Sequence, residues 1–161
     1  MTNNEQAQVM AWLARLTKSR VIVEAGTYYG AATKVLASAN PYATVYTADP
    51  YTSPRFKETN VVFHQGDFLE MLDIYGLDQI DFAYIDATPI EEHGTEHSYR
   101  YRYRCGMECA KRATPNGIIC FDDTNPAPWK KPFRELEQIK EMCQLNIKAL
   151  KGFSVWYKEE E

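Results

Sequence analysis

Six acidic residues stand at the ends of short apolar runs, and they are the first chemical signal in the 161-residue chain. Glu24 closes RVIVE, Asp49 closes TVYTAD, Asp67 closes VVFHQGD, Asp86 follows IDFAYI, and Asp122 and Asp123 close GIICFDD. One acid after one strand is an ordinary turn or helix-cap residue. An acid after each of five strands is a rim of carboxylates, because an open parallel sheet binds ligands beyond the carboxyl ends of its strands.

The first end opens into EAGTYYG. This is not the dinucleotide fingerprint G-x-G-x-x-G, since Glu24 and Ala25 stand where an early glycine is needed. A glutamate there would also repel pyrophosphate, so a nicotinamide dehydrogenase fits poorly. A ligand carrying an ammonium group and a carboxylate fits better: Glu24 meets the cation, while backbone N–H groups near Gly30 face the anion. S-adenosylmethionine has such an amino-acid end. Asp49, 19 residues after Gly30, is placed to accept hydrogen bonds from both ribose hydroxyls, and Asp67 to reach the exocyclic amine of adenine. With Gly26, Thr27, Tyr28, Pro50, Gly66, Phe68 and Asp86 flanking these acids, the expected cofactor site spans four strand ends.

The elements that must position these groups alternate in kind. Residues 4–18 place Val9, Trp12, Leu13 and Leu16 at helical spacing, which predicts an amphipathic helix buried on that stripe. After the glycine turn, Ala31, Ala32, Val35, Leu36 and Ala39 form a second helix that stops at Asn40 and Pro41. FLEMLDIYG reads as a short helix, and a further one is expected from Pro132 to about Cys143. The tail LNIKALKGFSVWYK reads as two strands hinged at Lys151 and Gly152. Strands alternating with helices imply a doubly wound α/β sheet covered on both faces, here as one domain over residues 1–161.

HSYRYRYRCG, residues 97–106, alternates like a strand, yet it lies between two strands that must run parallel. A crossover helix is therefore expected, with Tyr99, Tyr103 and Met107 or Ala110 on the sheet side and Arg100, Arg104 and Lys111 in water. A competing reading gives Arg100, Arg102 and Arg104 to phosphate or RNA.

Composition narrows the classes. Apolar residues make up 45% and charged ones 25%, enough for a packed globule, and a net charge of −4 argues against a general nucleic-acid binder. The polar start MTNNEQ lacks the pattern of a signal peptide, and no apolar run has the length of a membrane span, so a cytoplasmic protein without membrane attachment is expected. Cys105, Cys109, Cys120 and Cys143 form no C-x-x-C pair and are expected to be buried free thiols.

Taken in order, VIVEAGTYYGAAT, VYTADPY, QGDFLEML, DFAYIDA and GIICFDDT resemble the successive motifs of class I S-adenosylmethionine-dependent methyltransferases. The likeness is greatest to the small O-methyltransferase branch that includes catechol-type and macrolide-sugar-type enzymes, and it covers residues 20 to about 158. It implies a Rossmann-like sheet of seven strands, the last antiparallel and inserted beside the fifth. It also implies methyl transfer from S-adenosylmethionine to a hydroxyl of a small molecule. Metal-assisted members hold a divalent ion at the positions of Asp86, Asp122 and Asp123, and three carboxylates suit Mg²⁺.

Catechol-type enzymes carry a basic lysine three residues beyond the fourth-strand acid; here that residue is Pro89, and TPIEEHGTE separates Asp86 from HSY. His97, ahead of His93, is the expected substitute general base, working beside Asp86, while His64 is expected to be structural. About 19 residues precede the first strand, so either the pocket is open to a larger acceptor or a second copy of the chain closes it. Trp129 offers an aromatic wall beside Asp123. The alternatives are a protein that holds the cofactor without catalysis and a nucleic-acid methyltransferase.

Overall fold

The computed structural model describes residues 4–87, 96–122, 124, 142–145 and 154–159. The elements run α1 (Asn4–Leu16), β1 (Val21–Ala25), α2 (Ala31–Ala39), β2 (Thr44–Ala48), β3 (Val61–His64), α3 (Phe68–Ile74), β4 (Ile80–Ile85), α4 (Glu96–Arg112), β5 (Ala113–Phe121), β6 (Met142–Leu145) and β7 (Ser154–Lys158). Five strands pair in parallel in the order β3-β2-β1-β4-β5. β7 lies antiparallel beside β5, and the short β6 pairs antiparallel with β7 at the outer edge. The reversal of strand order falls between β1 and β4, which fixes where a crevice can form.

Apolar residues on both faces of each central strand give the sheet two cores. Val23 and Ala25 pack with Phe68, Met71 and Leu72 of α3 and Cys105, Cys109 and Ala110 of α4. Ile22 packs on the other face with Met10, Leu13 and Ala14 of α1 and Ala32, Leu36 and Ala37 of α2. Each large apolar side chain enclosed in this way contributes about 1.5–3 kcal/mol.

Three local expectations are corrected. α1 buries the stripe of Gln6, Met10, Leu13 and Ala14, leaving Trp12 and Leu16 59% and 61% exposed. Two stripes at helical spacing share Leu13, and the one that lets Gln6 reach the tip of β5 is the one enclosed. Met142 and Cys143 belong to β6, not to the end of a helix, so the first strand of the tail comes earlier than its sequence suggests. In α4 the sheet-facing residues are Ser98, Arg102, Cys105, Cys109 and Ala110, with Tyr101, Tyr103 and Met107 flanking them half-buried. Arg100, Arg104 and Lys111 face water as expected.

Cys105, Cys109 and Cys120 are buried free thiols. Burial pushes the Cys105 pKa up to about 12, which makes it an inert packing group. Among the described residues no helix is long and apolar enough to cross a membrane.

Candidate active site

The carboxyl ends of β1 and β4 meet at the point of strand reversal. The β1 backbone leaves the sheet through Gly26, whose φ of +93° is a conformation that side chains resist. A Cβ on Gly26 would lie 2.6 Å from the Asp86 carbonyl oxygen, so only glycine lets the two strand tips approach this closely. Gly30, with φ of +76°, then caps α2 without any side-chain hydrogen bond to the helix end. A Cβ there would meet the Phe56 ring at 2.5 Å, because the segment after β2 folds back over the turn.

Glu24 ends β1 inside the protein, with 0% exposure. Its Oε2 accepts hydrogen bonds from the hydroxyls of Thr33 and, at 2.6 Å, Thr47. Thr47 in turn lies 2.6 Å from the hydroxyl of buried Thr27. Oε1 is buried without a hydrogen-bond partner. Burial raises the pKa of Glu24 from 4.5 to about 7; the two threonine hydroxyls pull it down, and the charges of Asp86 and Asp49 push it further up. A cation at Oε1 would supply the missing partner and return the group to its ionised form. An ammonium-bearing ligand therefore fits this corner.

Asp49, at the β2 tip, is also buried and organises the turn. One oxygen accepts from the Tyr28 amide at 2.8 Å, and the other accepts from Tyr51 at 2.8 Å and Thr52 at 2.9 Å. About four acceptor positions exist on a carboxylate, so capacity for one more donor remains. Tyr28, held at a positive φ of 49°, is exposed with Tyr29 and Tyr51 beside this acid, and Pro50 is exposed as well.

At the β3 end, Asp67 is the N-cap of α3, accepting from the Leu69 and Glu70 amides at 2.8 and 3.2 Å. Its second oxygen takes a 2.5 Å hydrogen bond from the Tyr101 hydroxyl. Burial raises the pKa of that hydroxyl, so it remains a donor. A Cβ on Gly66 would sit 2.6 Å from Nε2 of His64, so the imidazole would have to shift to admit a side chain there. The Phe68 side chain is 2% exposed and packs in the core with residues of α3 and α4.

Among the described residues, no group of three metal-capable side chains gathers around Asp86 and Asp122. Asp123 lies outside the described residues, as do His93, Pro89 and Trp129. Asp122 is enclosed at 3% exposure, and its carboxylate accepts from the Tyr84 hydroxyl at 2.9 Å and the Gln6 amide at 3.0 Å. Asp86 is paired with the guanidinium of Arg102 at 3.2 Å. Mg²⁺ needs carboxylate oxygens at about 2.1 Å, so the positive group beside Asp86 and the two donors on Asp122 oppose it. The described residues do not fit a divalent ion. His97 is exposed near the start of α4.

Arg102 is the residue whose role the sequence did not reveal: it enters only the reading that gives Arg100, Arg102 and Arg104 to phosphate or RNA. The signal was present: Arg102 lies three residues before Cys105 and seven before Cys109, on the same helical stripe. Two cysteines at that spacing mark the buried face better than the tyrosines do.

Residues 23–124 match the model of a family described as a methyltransferase domain. The chain belongs to that family. Its membership agrees with the class I S-adenosylmethionine-dependent group that the strand-end motifs resemble. Three solved structures illustrate the methyltransferase fold. An O-methyltransferase from Streptomyces achromogenes, involved in tomaymycin synthesis and solved with SAM, is 19% identical at a TM-score of 0.66, covering 99% of this chain and 82% of its own. An O-methyltransferase from Bacillus cereus solved with SAH is 16% identical at 0.62, covering 99% and 83%. A methyltransferase from Podospora anserina, also bound to SAH, is 16% identical at 0.71, covering 99% and 80%. At these identities the likeness establishes a common fold. A comparison with curated protein sequences gives no match.

Proposed function

We propose that this methyltransferase domain acts as a single unit, moving the methyl group of S-adenosylmethionine to a hydroxyl oxygen of a small-molecule acceptor. The observation that carries the reading is the buried corner around Glu24. A carboxylate oxygen without a partner, a glycine that brings two strand tips into backbone contact, and a helix N-terminus lie within one turn of chain. Such a corner suits an amino-acid end: the donor's ammonium at Glu24 and its carboxylate toward the N–H groups that follow Gly30. Asp49 would then receive one ribose hydroxyl at its remaining acceptor position, and the segment of Gly66 and Asp67 the adenine. Asp86 lies next to the place where the sulfonium must sit, within electrostatic reach of Glu24.

The reaction needs an acceptor oxygen aligned behind the methyl carbon. The oxygen forms a C–O bond as the C–S bond breaks, giving S-adenosylhomocysteine and a methyl ether, and the acceptor's proton passes to a base. His97, exposed near the start of α4, is proposed as that base.

The test is calorimetric titration with S-adenosylhomocysteine, followed by product analysis across hydroxylated acceptors with S-adenosylmethionine. Binding in the micromolar range together with a methyl ether product is expected. No binding would refute the donor site, and binding with N- or C-methylated products would refute the oxygen acceptor.

A further inference from the structure

Arg102 is 1% exposed at the centre of α4, in a stripe otherwise made of Ser98, Cys105, Cys109 and Ala110. A guanidinium taken out of water is strongly destabilising unless its donors are matched, and packing alone would be served by an apolar residue here. Three of its matches lie at the tips of two strands. One terminal nitrogen is 3.2 Å from the Asp86 carboxylate, the Nε donates to the Ala87 carbonyl at 3.3 Å, and the other terminal nitrogen donates to the Asp122 carbonyl at 3.0 Å. The planar fork therefore ties the end of β4 to the end of β5 from the α4 side. The Asp122 carboxylate is engaged elsewhere, by Tyr84 of β4 and Gln6 of α1.

We propose that Arg102 is the resident cation of this site, a positioning residue that holds Asp86 and joins the β4 and β5 tips, so that the enzyme works without a divalent metal. The proposal rests on the methyltransferase reading and deepens it. A second positive centre at Asp86 would face the guanidinium at close range, and Asp122 could turn to a metal only by giving up two buried donors. Arg102 also answers an electrostatic need within the chain: Asp86 lies close enough to Glu24 to raise its pKa, and the guanidinium sets a positive charge beside Asp86.

The experiment uses Mn²⁺ as the probe, followed by electron paramagnetic resonance in the full-length protein, with S-adenosylhomocysteine titrated into the same samples. The wild type is expected to bind Mn²⁺ no more tightly than about 1 mM, and turnover to be unchanged by chelator. Arg102→Met, which removes the guanidinium beside Asp86, is expected to bind Mn²⁺ at least about tenfold more tightly, a gain that loss of packing would not produce. Arg102→Lys keeps the charge and is expected to exclude the ion as the wild type does, which preserves the test if Arg102→Met does not fold. Wild-type Mn²⁺ binding tighter than about 1 mM that Asp86→Asn or Asp123→Asn abolishes would overturn the proposal. Failure to bind S-adenosylhomocysteine would instead refute the donor site and leave the Mn²⁺ result on Arg102 readable.

Discussion

Replacing Glu24 by glutamine tests the energetics of the site's most unusual group. The carboxyl is fully enclosed, and its pKa is raised from 4.5 to about 7 chiefly by burial. In the unfolded chain it ionises near 4.5, so between that pH and about 7 the folded state holds a proton that the unfolded state has lost. Stability must fall as pH rises through this window and then level off. At about 1.4 kcal/mol per pH unit, the wild type loses about 3 kcal/mol across it. Glutamine keeps an oxygen to accept from Thr33 and Thr47 and carries no ionisable proton. Urea unfolding of both proteins from pH 4.5 to pH 8 provides the assay, and the difference between the two stability curves removes the contribution of every other titrating group. That difference should shift by about 3 kcal/mol in favour of Glu24→Gln as pH rises, with its midpoint between 4.5 and 7. Parallel curves would show that the carboxyl ionises freely in the folded protein, and the account of the buried corner would then fail. With ligand present the direction reverses. Wild-type affinity for S-adenosylmethionine should increase as pH rises through about 7, because the ammonium pairs with the ionised form, and Glu24→Gln should lose this pH dependence.

Three further outcomes follow from the same geometry. Asp49→Ala removes the acceptor of the Tyr28, Tyr51 and Thr52 amides together with the proposed ribose contact, and should weaken S-adenosylhomocysteine binding by about 100-fold or more in calorimetry. Asp122→Ala leaves the Tyr84 hydroxyl and the Gln6 amide without their acceptor and should lower stability by about 2–4 kcal/mol; a metal ligand near the surface would instead alter turnover with little change in the urea midpoint. Gly26→Ala forces a methyl group against the Asp86 carbonyl at a positive φ, and thermal unfolding should register a loss of about 2–4 kcal/mol together with loss of donor binding.

The sequence by itself determined the order of strands and helices, and with it the rim. Alternating apolar runs that end in Glu24, Asp49, Asp67 and Asp86 can be read one at a time, because a parallel sheet places all such ends on one side. It also marked Gly26 and Gly30, since a turn that tight leaves little room for a side chain. Tertiary structure alone decided which helix faces are enclosed, and so what each acid touches. Two overlapping stripes on α1 were equally helical, and the choice between them followed from the Asp122 acceptor that Gln6 reaches across 116 positions of sequence. The spacing of Arg102 to Cys105 and Cys109 marks its stripe, but what makes burying a guanidinium there favourable is the proximity of Asp86, Ala87 and Asp122 at two strand tips. Periodicity fixes the spacing of a stripe, while the acceptors that compensate a buried charge come from distant parts of the chain, and folding is what brings them together.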